Sequence, residues 1–184
     1  MVNHTLKARL ISILVFIIVM SSQVSCSVVH KQADYRDSTL EYVKNQKSDE
    51  LYELFSEELK KEKGFKDDLN LFLEKLYEYD LSFSKARLVD GGADKASEHG
   101  EYTYYFDSCS IKNIYDEDGN EYIIFFNYYI VNKENTKKEG LNFIQLSSIT
   151  RNENYPQYII ELYVGIEGHE KDSLYTFYDA SDGN

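Results

Sequence analysis

Residues 65–80, FKDDLNLFLEKLYEYD, decide the fold. Phe65, Leu69, Phe72, Leu73 and Leu76 recur every three or four positions, which lines one side of a helix. Asp67 and Asp68 fall in its first turn, where the helix dipole favours acids. From Leu81 onward the apolar period drops to two. A single switch from helical to strand spacing predicts an α+β domain, with helices followed by one antiparallel sheet.

Upstream, SDELYELFSEEL (48–59) predicts a second helix with Leu51, Leu54, Phe55 and Leu59 along one side and an N-cap signal at Ser48-Asp49. Helical spacing starts earlier, near Ser38, through Leu40 and Val43. Downstream, LSFSKARLV (81–89) reads as a strand and DGGADKASEHG (90–100) as a polar loop. EYTYYFDSCSIKNIY (101–115) is a long strand, with Tyr102, Tyr104 and Phe106 on one face and Thr103, Tyr105 and Asp107 on the other. DEDGN (116–120) reverses the chain into EYIIFFNYYIVN (121–132). KENTKKEG (133–140) is the next reversal, and LNFIQLSSI (141–149) and QYIIELYVGI (157–166) are further strands. SLYTFYD (173–179) predicts a short edge strand. The 121–132 strand is apolar on both faces, so both need cover. The helices supply one side. A partner subunit, a tail or a bound ligand would supply the other. A long twisted sheet curling around the third helix would form a cone.

The chain begins with an address. Lys7 and Arg9 precede an unbroken apolar run, LISILVFIIVM (10–20), and then SSQVSC. That is the order of an export signal. The run is short of the ~20 residues a membrane-spanning helix needs. A stretch from Ala8 to Val24 would reach closer and leaves an uncleaved anchor open. Cys26 stands where the signal should end, behind the small Ser25. The expected organisation is a signal peptide over 1–25, Cys26 with a tether to residue 36, a domain over 37–170 and an acidic tail over 171–184.

Charge narrows the function. The chain has 20 Lys plus Arg against 32 Asp plus Glu, a net charge of −12. Such a surface repels phosphate backbones and anionic lipid headgroups, so neither a nucleic-acid partner nor a polybasic membrane role is expected. Two cysteines, Cys26 and Cys109, cannot build a disulfide scaffold. Cys109, within YYFDSCSI, reads as a small buried strand residue.

Most chemistries lack their residues. Aligned on its glycine, DEDGNE (116–121) would place Ile114 and Phe125 at the two defining ligand positions of a calcium loop, so it reads as a hairpin turn. His4, His30, His99 and His169 have no spacing that joins them in a zinc site. No G-x-S-x-G is present, and Gly91-Gly92 reads as a turn and not as a phosphate cradle. No metal and no cofactor is expected. One acid–base pairing stays open: Asp107 and Tyr105 share a strand face, with Tyr129 on a neighbouring strand. In a dry pocket such groups shift their pKa values and can move protons. Seventeen Tyr could equally fill sheet faces or furnish a binding surface.

Two resemblances add to this reading. VSC before the mature chain resembles the lipobox of bacterial lipoproteins, which implies a diacylated Cys26. Gln23 departs from that pattern, which prefers an aliphatic residue there, and ordinary secretion with cleavage near Ser25 is the alternative. The order of elements resembles the cystatin-like, nuclear-transport-factor-two-like cone. NKENTKKEGLNFIQL (132–146), after FFNYYIV, and Asp49, Leu51, Leu54 and Phe55 resemble a family of small lipoproteins of Gram-positive bacteria over about residues 34–170. The resemblance implies a cone fold and an extracytoplasmic lipid anchor in the cell membrane, and it implies no activity. The expected function is a tethered, non-enzymatic module that binds a small ligand or a protein, with self-association through the open sheet face. The alternatives are a cone-fold isomerase or hydrolase using Asp107 and Tyr105, and an immunity-type lipoprotein whose acidic surface meets a basic toxin.

Overall fold

The structure, a computed structural model, describes residues 28, 30–151, 156–166 and 175–180. Three helices come first: α1 over residues 30–44, α2 over Ser48–Leu54 and α3 over Phe65–Glu78. Six strands follow: β1 (Arg87–Glu98), β2 (Glu101–Tyr115), β3 (Glu121–Asn132), β4 (Gly140–Arg151), β5 (Pro156–Ile166) and β6 (Tyr175–Asp179). They pair in sequence order, each antiparallel to the next, as one open sheet. The helices pack on one side of it, so the α+β expectation holds.

The inner face is built from two rows that cross four strands. Cys109, Phe126, Ile144 and Val164 are successive partners in the register, and so are Ile111, Ile124, Leu146 and Leu162. All eight are at most 2% exposed. Helix α3 packs against β5, and its Phe65, Leu69, Phe72 and Leu76 are fully buried. Each such side chain contributes about 1.5–3 kcal/mol relative to exposure, so the stripe read in residues 65–80 is the centre of the core.

Several local expectations are corrected. Residues 30–36, expected as an extended tether, are helical and belong to α1. Helix α2 stops at Leu54, not at Leu59. Phe55 turns extended and bridges Leu141, and the Ser56 N–H donates to the Leu141 carbonyl at 3.0 Å. Competition from β4 therefore ends the helix, and a short 3-10 turn at Leu59–Lys61 follows. Gly140 makes this docking possible: at φ +120°, a Cβ there would lie 2.8 Å from the Leu54 carbonyl oxygen. The helix begins at Ser48, but its N-cap is Lys47, with no side-chain capping bond.

The supposed loop at 90–100 is most of β1. Gly91-Gly92 is no turn; the register slips between Asp90 and Gly92, a bulge inside the strand. The reversal sits instead at His99-Gly100, both at positive φ (50° and 84°), which suits a two-residue hairpin. A second slip, between Ala96 and Ser97, leaves Thr103 unpaired. Tyr102 is thereby turned to the inner side, where its ring lies 5.3 Å from that of Tyr105 and not with Tyr104 and Phe106.

Candidate functional site

Asp107 is 2% exposed and faces the helices. Its Oδ2 accepts from the Tyr128 hydroxyl at 3.0 Å and from Gln32 Nε2 at 2.6 Å, and its Oδ1 accepts from the Ser108 N–H at 2.9 Å. Cys109 Sγ lies 3.7 Å from the Tyr128 hydroxyl oxygen. Tyr128 gives its proton to Asp107, so the thiol is the donor of that contact, and a chain runs from Cys109 through Tyr128 to Asp107. Helix α1 closes it: the Tyr35 ring sits 5.3 Å from that of Tyr128, and Arg36 Nη1 pairs with Asp90 of β1 at 2.8 Å.

The electrostatics make this cluster chemically quiet. Burial, then Cys109 and Asp107, push the Tyr128 phenol far above its ordinary value. Burial lifts the Cys109 thiol to about 11, so it is protonated at neutral pH and no nucleophile. Tyr105 is also raised, by burial first and then by Asp107. Both Asp107 oxygens are occupied, and the groups that occupy them tie α1 to β2 and β3. The arrangement locks the helix to the sheet.

Of the sequence candidates, Asp107 and Tyr105 share the inner side, as read. Tyr129 does not join them. It faces outward, with ring neighbours Tyr104 at 5.5 Å and Phe106 at 4.9 Å. Its place is taken by Tyr128. Counting back from the DEDGN turn explains the difference. Tyr115 pairs with Glu121 and Ile114 with Tyr122, a register that would set Asp107 opposite Tyr129. A bulge between Ile111 and Ile114, with Asn113 at φ +62°, shifts the pairing by one and brings Tyr128 opposite. An Asn next to Lys inside a strand is the only sequence signal of that shift. Gln32 and Arg36 lay in the segment read as tether.

The remaining sequence features fall as follows. Cys109 is the buried strand residue expected. Asp116 forms the hairpin turn: its carboxylate accepts from the Asn120 N–H and side chain, both at 2.8 Å, and from Tyr122 at 3.2 Å. His30 and His99 are exposed. Cys26, His4 and His169 lie outside the described residues. Among the described residues no helix is long and apolar enough to cross a membrane.

The outer face of the sheet holds a second place. Over β2 and β3 its aromatic side chains cover one another, and Ile123, Asn127 and Tyr129 are at most 5% exposed. The two-sided strand is thus buried largely within this chain. Over β4–β6 the face is open. Phe143, Ile159, Ile160, Tyr163 and Tyr178, with Gln145 and Thr176, line a groove of about 630 Å³. Ile159 (51%), Ile160 (42%) and Tyr178 (46%) are exposed to an extent unusual for such side chains. Phe143 and Tyr163 stack at 5.5 Å as its floor. Among the described residues no lining side chain carries a charge. Nothing in residue type or period separated this groove from the rest of the outer face in advance; the exposure of β5 depends on which strands the neighbouring aromatics reach.

A comparison with curated proteins gives no match. A family model matches residues 38–155, from within α1 to just beyond β4. The chain belongs to that family, described as a domain of unknown function, DUF5104.

Proposed function

We propose that this protein is a membrane-tethered, extracytoplasmic lipoprotein that acts as a non-enzymatic binding module. The export signal and Cys26 support the tether. The β4–β6 groove supports binding, and it is the observation that carries the reading. Its volume suits one small molecule, and its walls are apolar with Gln145 and Thr176 as the polar groups that orient a guest. The uncharged lining in a strongly acidic protein selects a neutral, largely apolar ligand. Catalysis at Asp107 is the weaker reading, because a substrate there would have to displace Gln32 and Tyr128.

The neutral dye Nile red tests the groove. Wild-type protein binds it with enhanced fluorescence, and Ile160→Glu weakens binding by at least about tenfold, as expected for a charge set in an apolar site. Equal binding by the variant rejects the groove as the site. Sedimentation of a wild-type dimer that Ile160→Glu converts to a monomer would instead assign the face to a second copy of the chain. Fractionation tests the tether: Cys26→Ala leaves the membrane fraction, and a variant that stays there rejects lipid attachment.

A further inference from the structure

The lysine-bearing end of the domain that gathers the start of α1 and the two 3-10 turns is, we infer, the surface that rests on anionic lipid headgroups. This rests on the acylation of Cys26 proposed above. Two observations meet there.

The first is geometric. Val28 is 7% exposed and belongs to the core cluster. Only two residue steps separate it from Cys26, a reach of roughly 7 Å. An acyl anchor on Cys26 therefore leaves no free tether. The start of α1 is pinned at the bilayer, and whatever surrounds it faces the lipid. Three segments converge on it. Lys31 pairs with Glu139 at 3.6 Å. The Glu58 N–H donates to the Lys137 carbonyl at 3.0 Å, joining the Leu59–Lys61 turn to the Thr136–Lys138 turn. The Tyr35 phenol feels both Glu139 and Lys60.

The second is charge. These segments and the neighbouring end of β3 carry Lys31, Lys60, Lys61, Lys63, Lys133, Lys137 and Lys138 against Asp34, Glu57, Glu58, Glu62, Glu134 and Glu139, so this end is close to neutral. Lys31, Lys60 and Lys133 are held by Glu139, by Glu53 and Glu57, and by Glu101. Lys61, Lys63, Lys137 and Lys138 make no ion pair among the described residues. Elsewhere the chain is acidic enough to bring the total to −12. An acidic domain held within a Debye length of an anionic leaflet is repelled by it, and this near-neutral end, with Lys61, Lys63, Lys137 and Lys138 outside any ion pair among the described residues, is the part of the surface repelled least. The opposite end, at the β2–β3 turn, is removed by the length of β2, on the order of 45 Å.

Lysine acetylation read by mass spectrometry tests the orientation. Acylated full-length protein is reconstituted into vesicles of equal parts phosphatidylcholine and phosphatidylglycerol, with Cys26→Ala protein and the same vesicles as reference. Lys61, Lys63, Lys137 and Lys138 should react at least about fivefold more slowly in the acylated sample, while Lys85 and Lys112, at the far end, react equally in both. Lys137→Glu combined with Lys138→Glu should remove the protection of Lys61 and Lys63 without removing the acyl group. Acylated protein whose two ends are acetylated alike overturns the orientation alone. Protein without the acyl mass on Cys26 overturns the tether and the orientation with it.

Discussion

The two faces of the sheet are made by the same strands, from alternate residues, yet they serve opposite ends. The inner face carries Ile111, Ile124, Leu146 and Leu162 in one unbroken row under α3, each fully buried. The outer face closes over β2 and β3 by aromatic contact and opens over β5 and β6, where Ile160 and Tyr178 remain exposed. Strand periodicity assigns residues to faces; helices decide which face becomes core. The uncovered face is then available for binding, because losing an exposed side chain costs little stability.

The largest expected effect tests that contrast. Phe72→Ala should lower unfolding stability by ~3–5 kcal/mol in a denaturant titration, whereas Ile160→Ala should stay within about 1 kcal/mol. Similar losses from both would mean that β5 is part of the core. Next comes the seam between α2 and β4. Gly140→Ala combines a positive φ with a backbone clash at 2.8 Å, and should cost about 2 kcal/mol or more, read as a fall in Tm. Tyr128→Phe takes one donor from the buried Asp107 carboxylate and should cost ~1–3 kcal/mol in the same titration. No loss would separate α1 docking from the polar cluster.

The smallest effect is in pH. Burial raises the Cys109 thiol to about 11, and Tyr77, Tyr79 and Tyr122 to about 12, above their ordinary values near 9.0 and 10.0. A raised folded-state pKa means that the neutral form is favoured by folding. The associated stability is complete below the unfolded value and is lost as pH climbs through the folded one. Stability should therefore fall between about pH 9 and 12, and Cys109→Ala should flatten the beginning of that fall. At pH 8 a thiol reagent should modify native Cys109 on the order of a hundredfold more slowly than the unfolded chain, the thiolate fraction implied by two pH units. Rapid labelling of the native protein would mean that α1 does not hold the cluster shut.

Helix α3, the strand order and the inner rows follow directly from residues 65–80 and from the spacing after Leu81. The structure departs from local spacing at bulges and where distant segments compete for the same backbone. The slips at Gly91, Thr103 and Asn113 each move a side chain by one residue, which in a period-two structure changes its partner or its face. One such slip exchanged Tyr129 for Tyr128 at Asp107. Helix α2 ends before its apolar stripe does because Leu141, about eighty-five residues downstream, takes the Ser56 N–H.

The sequence alone determined the helix-to-sheet order, the acidic charge, the want of a recognisable catalytic constellation and the export-like start, because each is written in local period, composition or spacing. Tertiary structure alone decided that α1 is bolted to Asp107, that β3 is covered by its own neighbours, and that the open apolar ground lies on β5. Those outcomes depend on register and on contacts between residues far apart in the chain, and short-range spacing carries no record of either.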